Sequence, residues 1–350
     1  MKVAILSRSV GHNTASRIRL EALKFGFEAL GFNCDLVDPS RVGLRLPQPG
    51  STSVHASLRT AELTLVFNAL SGTEEAHFHP YVRHYETAGV PVVNPLAGWL
   101  AAGQKDTTFQ LLAQHGVPIP RTVIATQEED LKAVVDSVGG FPVVVKKTNG
   151  LKGRGVFVAE SLRNLRSVLQ SLVLSSEPLV FQEFIKEAEG RDYKITSTRD
   201  YCLCAVQRVA TSLGEFRANV ALGGRATLIQ PDKGMADLAA VALNAVGLLV
   251  GAVDIIKSSS GLLVIDVNDF PELNFSYGHL ECFVERDYAR TFVAHVVRVA
   301  CPGMSIRDQD INSLCQSIPN PRTAADEYLR RLSLDQLIIL DRRSHRDEAT

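Results

Sequence analysis

The chain has 350 residues, more than one hydrophobic core usually serves, so two or three compact lobes are expected. Hydrophobic residues make up 45% and charged residues 21%, an ordinary globular composition. Lysine plus arginine number 37 against 38 aspartate plus glutamate, and this net charge of -1 offers no electrostatic ground for nucleic acid or an anionic membrane as partner.

The opening MKVAILSRSVGHN holds a short apolar run without a small-residue cleavage site, and reads as a first strand over 3–7 and not as a signal peptide. A helix over 15–30 ends at Gly31. Strands follow over 34–37 and 63–67, then a helix near 81–87 and a strand over 90–93. This alternation is the rhythm of an open parallel sheet. The first turn, SRSVGHN, lacks the G-x-G-x-x-G pattern of a dinucleotide site. A helix over 104–115 and the stiff connector VPIP lead into a small mixed lobe, with strands over 141–146, 156–159 and 179–183. After Gly190 come a long strand pair over 193–198 and 201–209, a helix over 232–249, a hairpin over 252–256 and 262–268, and a helix over 278–300. The expected domains are 1–103, an α/β domain; 104–189, a small lobe with its connecting helix; 190–302, a larger lobe; and 303–350, a helical extension. No apolar run approaches the roughly 18 residues of a membrane span. The six cysteines show no paired zinc-type spacing, which suits a reduced, cytoplasmic setting.

Several stretches carry candidate chemistry. FPVVVKKTNGLKGRGVFVAE sets Gly150, Gly153 and Gly155 among Lys146, Lys147, Lys152 and Arg154 between two apolar strands. Glycines let backbone amides approach an anion, and the lysines add charge. A tight hairpin with a solvated basic rim is the plainer alternative. In LVFQEFIKEAEGRD a strand runs into Gln182-Glu183-Phe184-Ile185, a hinge whose backbone suits the edge of an adenine, or simply a strand end. VIDVNDFPELNF places Asp266 and Asn268 two apart, on one face of an apolar strand that Phe-Pro then stops. The neighbouring AVDII adds Asp254. Three hard oxygen donors on one sheet face suit magnesium, with manganese as a substitute. Arg208, Arg217 and Asn219 lie on or after the long strand pair, where an arginine fork suits phosphate or carboxylate.

In combination, a lysine, a glycine-rich turn, a hinge, an arginine and then Asp…Asp-x-Asn resemble the ATP-grasp superfamily. The start MKVAILSR, LLAQHGVPIP, FPVVVK with its glycine turn, FQEFIKEAEGRD and EFRANVALGG more closely resemble glutamate ligases of the RimK type and their amino-group-carrier relatives, over roughly 1–300. The resemblance implies an α/β domain followed by a two-lobed α+β ATP-grasp fold. It implies ATP-dependent joining of a carboxylate to an amine, on an amino acid or peptide-like substrate, and a homo-oligomer. Lys105 and Lys146 would hold the ATP phosphates, with Gly153 and Gly155 in the turn. Gln182, Glu183, Phe184 and Ile185 would meet the adenine and Asp192 the ribose. Arg217 and Asn219 would meet the phosphates, and Arg208 or Arg217 would stabilise an acyl phosphate. Asp254, Asp266 and Asn268 would bind the metal. Two departures bear on the acceptor. Asp269-Phe270-Pro271-Glu272 replaces a Ser-Pro-Gly-type turn and resembles the ending in inositol-phosphate kinases, and Leu222 stands where relatives carry an arginine. A polyol-phosphate kinase and a non-catalytic nucleotide-binding module are the alternatives.

Overall fold

The computed structural model describes residues 1–8, 14–44, 60–70, 73–127, 129–149, 155–172, 177–212, 214–271 and 288–304. Gly150, Gly153 and the extension expected over 303–350 fall wholly or almost wholly outside these, as does the expected start of the last helix. The described residues divide into two compact units: those within Met1–Leu70 and Phe78–Leu96 together with Tyr288–Met304, and those within Ser71–His77 and Ala97–Pro271.

The first unit is built on a four-stranded parallel sheet. Its elements are β1 (Lys2–Leu6), α1 (Thr14–Ala29), β2 (Asn33–Val37), β3 (Leu63–Asn68), α2 (His79–Thr87) and β4 (Val92–Val93), in the sheet order β2-β1-β3-β4. The apolar runs of β1 and β3 are buried because helices cover a parallel sheet on its faces. The helix Tyr288–Ala300 packs against α1 in this same unit. Phe67 stacks edge-on against Phe27 at 6.2 Å and against Phe292 at 6.3 Å, so one aromatic column joins β3, α1 and the last helix.

In the second unit α3 (Leu96–Ala102) and α4 (Lys105–Gln114) lead into a sheet of β5 (Thr122–Ala125), β6 (Val143–Lys147), β7 (Val156–Ala159) and β8 (Leu179–Glu183), ordered β5-β8-β6-β7. α5 (Leu131–Ser137) is capped by Asp130, whose side chain accepts from the amides of Lys132 and Ala133. With α6 (Leu162–Leu172) it covers one face of this sheet, where Val143, Val145, Leu179 and Phe181 are buried. A second, antiparallel sheet follows: β9 (Arg191–Thr198), β10 (Cys202–Val209), β11 (Arg225–Ile229), β12 (Val250–Ser258) and β13 (Gly261–Asn268), ordered β11-β10-β9-β12-β13. α7 (Lys233–Val246) lies on one face and makes a core with Tyr193, Ile195, Ala205, Val253 and Ile255. β11 and α3 have no counterpart in the sequence reading. β11 is a short edge strand of polar and apolar residues, and α3 carries Trp99, buried at 2% exposure.

Candidate functional site

The face of the second sheet turned away from α7 is charged. Alternation along β9 sends Tyr193 and Ile195 to the core and Asp192 and Lys194 to the opposite side. The register then brings unlike charges together: Arg208 of β10 lies opposite Asp192, and Lys194 lies opposite Asp254 of β12. Arg208 forks onto Asp192 at 2.6 and 2.8 Å and reaches Asp254 at 2.9 Å. Lys194 forms an ion pair with Asp254 at 2.9 Å, close in distance but poorly angled for a hydrogen bond. Burial would push Asp254 up, but Arg208 and Lys194 hold it down, to about 2. Asp192 is raised by burial, against the pull of Arg208.

β13 reaches this face through a bulge. Asp254 pairs with Asp266 but Ile255 pairs with Val264, so Ile265 is the extra residue. The irregularity lets Val264 and Val267 both enter the core while Ile265 and Asp266 both border the cavity. Asp266 accepts from Lys105 Nζ at 2.6 Å. Lys105 is buried on the same helical face of α4 as Phe109 and Leu112, and its amide donates to the Thr148 carbonyl at 3.0 Å. Lys146, from the face of β6 opposite the small-lobe core, donates to the Ile265 carbonyl at 2.9 Å and sits 4.9 Å above the Phe109 ring. Burial drives Lys146 down to about 7; Asp266 opposes this and Lys105 adds to it.

Lys105, Lys146, Asp192, Asp254 and Asp266 line one wall of a cavity of about 870 Å³, counted with its open mouth. Val144, Val156, Ile256 and Ile265 make it apolar, and the end of β8 with Phe184 and Ile185 closes it on the hinge side. The hinge is built, not frayed. Glu183 accepts from Arg121 at 3.0 and 2.8 Å, which holds its carboxyl below the usual range, and Gln182 Nε2 donates to Thr122 Oγ1 at 2.8 Å. β8 leaves the ladder at Glu183, so the peptide groups of 184–185 lie beyond the sheet. Arg217, braced by Glu215 at 2.7–2.9 Å and stacked 5.5 Å from Phe216, borders the cavity with Asn219.

A family model of the RimK-like ATP-grasp domain matches residues 102–285, the stretch that builds this cavity. The chain belongs to the RimK-like ATP-grasp family. It is 32% identical over 273 residues, 78% of its length and 89% of the relative's, to a probable alpha-L-glutamate ligase of Pseudoalteromonas translucida. It is 29% identical over 303 residues, covering 86% of this chain and 98% of the relative, to probable alpha-L-glutamate ligase 1 of Shewanella denitrificans. The solved RimK domain protein of Sphaerobacter thermophilus shares its fold, with a TM-score of 0.60 and 19% identity over 86% of this chain and all of that one.

Within this RimK-like ATP-grasp chain the structure brings together most of the residues singled out in the sequence. Lys105, Lys146, Gln182, Glu183, Phe184, Ile185, Asp192, Arg217, Asn219, Asp254 and Asp266 all border the cavity. Two do not. Arg208, 2% exposed, lies beneath the wall as the counterion of Asp192 and Asp254. Asn268 stands opposite Ala252, whose carbonyl its amide approaches at 3.4 Å. Gly155 closes the glycine turn at φ +79°, its carbonyl accepting from the Lys147 amide at 2.9 Å, while Gly153 lies outside the described residues. Lys194 was missed. It stands two places from Asp192 on a strand opposite Asp254, a pattern that becomes informative only when the strand order is known. Among the described residues no three His, Cys, Asp or Glu side chains converge as a metal-binding group, and no helix is long and apolar enough to cross a membrane.

Proposed function

We propose that the protein is an ATP-dependent carboxylate–amine ligase, forming an amide or peptide bond on an amino acid or peptide-like acid. The observation that carries this reading is a pair of buried lysines beside two carboxylates in one cavity, Lys105 paired with Asp266 and Lys146 held on the Ile265 carbonyl near Asp254, with a strand-end hinge bordering the same cavity. An apolar slot beside the hinge suits a purine, and the charged wall suits polyphosphate. Asp254 and Asp266 are hard oxygen donors set among cations, a donor set that fits a magnesium ion, with Asn268 next along the same strand as Asp266. Such an ion would neutralise charge developing on the transferred phosphoryl group. The chain's own contribution is positional. Lys105 and Lys146 would bind phosphate oxygens, Arg217 would stabilise the acyl phosphate, and Arg208 with Lys194 would hold Asp254 in place. The amine would then displace phosphate from the activated acid.

Hydroxylamine replaces the unknown amine in the test. With magnesium, ATP and a pool of amino acids and small carboxylates, the protein is expected to release ADP and accumulate a hydroxamate. Asp266→Asn should abolish both while the melting temperature stays within a few degrees, because a partly exposed charge is lost and no packing is. ADP released only with inositol phosphates, and no hydroxamate, would make the enzyme a kinase.

A further inference from the structure

The sheet of the first unit has the order β2-β1-β3-β4, so the chain leaves β1 toward one side and β3 toward the other. In open parallel sheets a crevice forms outside the carboxyl ends of the two strands at such a switch point. Here those ends are Leu6 and Asn68, which lie opposite each other in register. Two features there have no internal explanation. Asn68 is 5% exposed; its Oδ1 accepts from the Leu70 amide at 3.2 Å, yet its buried Nδ2 has no hydrogen-bond partner. Arg8, two residues past β1, makes no ion pair among the described residues, and its buried Nε is likewise without a partner. Leaving such donors unmet is costly, so a site that binds an acceptor is the economical reading.

The surroundings favour an anion. The Arg8 guanidinium lies 5.8 Å from the ring of Phe78, which is the residue preceding the first turn of α2. α2 continues directly from the 3-10 turn Thr73–Phe78, so the positive charge at this edge is that of Arg8 itself. A planar guanidinium with a carboxamide N–H beside it matches the two oxygens of a carboxylate.

We propose that this edge of the first unit binds a carboxylate of an amino-acid or short peptide substrate through Arg8 and Asn68. Its part in turnover rests on the ligase reading above; the binding itself does not. The test is calorimetry on the full chain with L-glutamate, glutarate, the neutral glutaramide and inorganic phosphate as probes. Glutamate and glutarate should bind and glutaramide should not. Arg8→Ala, and Asn68→Asp, which keeps the acceptor for Leu70 but removes the donor, should each weaken glutarate at least tenfold. Both should leave affinity for a non-hydrolysable ATP analogue unchanged. No carboxylate binding by the wild type, unchanged affinity in both variants, or binding of phosphate alone would overturn the site. Hydroxamate formation with carboxylate affinity indifferent to both substitutions would remove the site and leave the ligase. Arg8-dependent glutarate binding without any hydroxamate would do the reverse.

Discussion

Lys146 is a cation in a place that disfavours cations. It is 7% exposed, packed over Phe109, with one carbonyl to receive its protons. Its acidity is displaced from the usual lysine range down to about 7. Between pH 7 and about 10.4 the unfolded chain therefore binds more protons at this position than the folded one, and folding stability gains as pH rises through that window. Below pH 7 both states are charged and the burden of burying the ammonium is constant. Lys146→Met should accordingly be more stable than the wild type at pH 6 to 7, by roughly a few kcal/mol, in metal-free and nucleotide-free buffer. The difference should shrink toward pH 10. Denaturant unfolding across this range measures it, and a gap that does not change with pH would mean that Lys146 remains an ordinary solvated lysine. The same residue explains why a binding site tolerates such strain, since an arriving phosphate would supply the countercharge that the fold withholds.

At the scale of elements, the hairpin of β12 and β13 does most to shape the site. Its bulge at Ile265 brings two consecutive residues to the cavity, and its far face must still pack on α7. That packing leaves little room at Gly251 in β12, where an added Cβ would lie 2.6 Å from the Asn268 carbonyl oxygen and 2.7 Å from Leu243 of α7. Gly251→Ala should therefore destabilise the protein by about 1–3 kcal/mol, as overpacking does, and should disturb the end of β13 from which Asp266 projects. Loss of ADP release together with a lower denaturation midpoint is the expected pair of results. A neutral effect on both would show that this strand end can shift without consequence. The first unit makes a similar use of register: Leu6 opposite Asn68 places the ends of β1 and β3 side by side.

For the molecule as a whole, the cavity draws on α4, both sheets of the second unit and the hinge, so a ligand in it bridges elements far apart in sequence. Anything that binds the folded state alone raises stability by mass action, about 2.7 kcal/mol at a hundredfold excess over its dissociation constant. A non-hydrolysable ATP analogue with magnesium should thus raise the unfolding temperature, and Lys105→Ala or Lys146→Ala should shrink that rise. A melting temperature unmoved by millimolar nucleotide would count against the cavity as an ATP site.

The sequence by itself determined the strands and helices whose periodicity is strong, and the composition of the site. Strands at Val156–Ala159 and Leu179–Glu183 were legible to the residue, because apolar runs bounded by glycine and polar residues have one reading. Asp254 and Asp266 stood out because charge on an otherwise apolar strand needs a reason, Lys146 because it borders a glycine-rich turn, and Lys105 only through the family resemblance. What tertiary structure alone decided was which charges meet. Arg208 looked equivalent to Arg217, yet strand order buries the first against Asp192 and Asp254 and leaves the second beside the cavity. Lys194 gained meaning only once β9 was seen to lie between β10 and β12. The helix Tyr288–Ala300 follows the second unit in sequence but packs on α1 in the first. Such pairings join residues tens to hundreds of positions apart, and no local pattern of hydrophobicity encodes a partner at that distance.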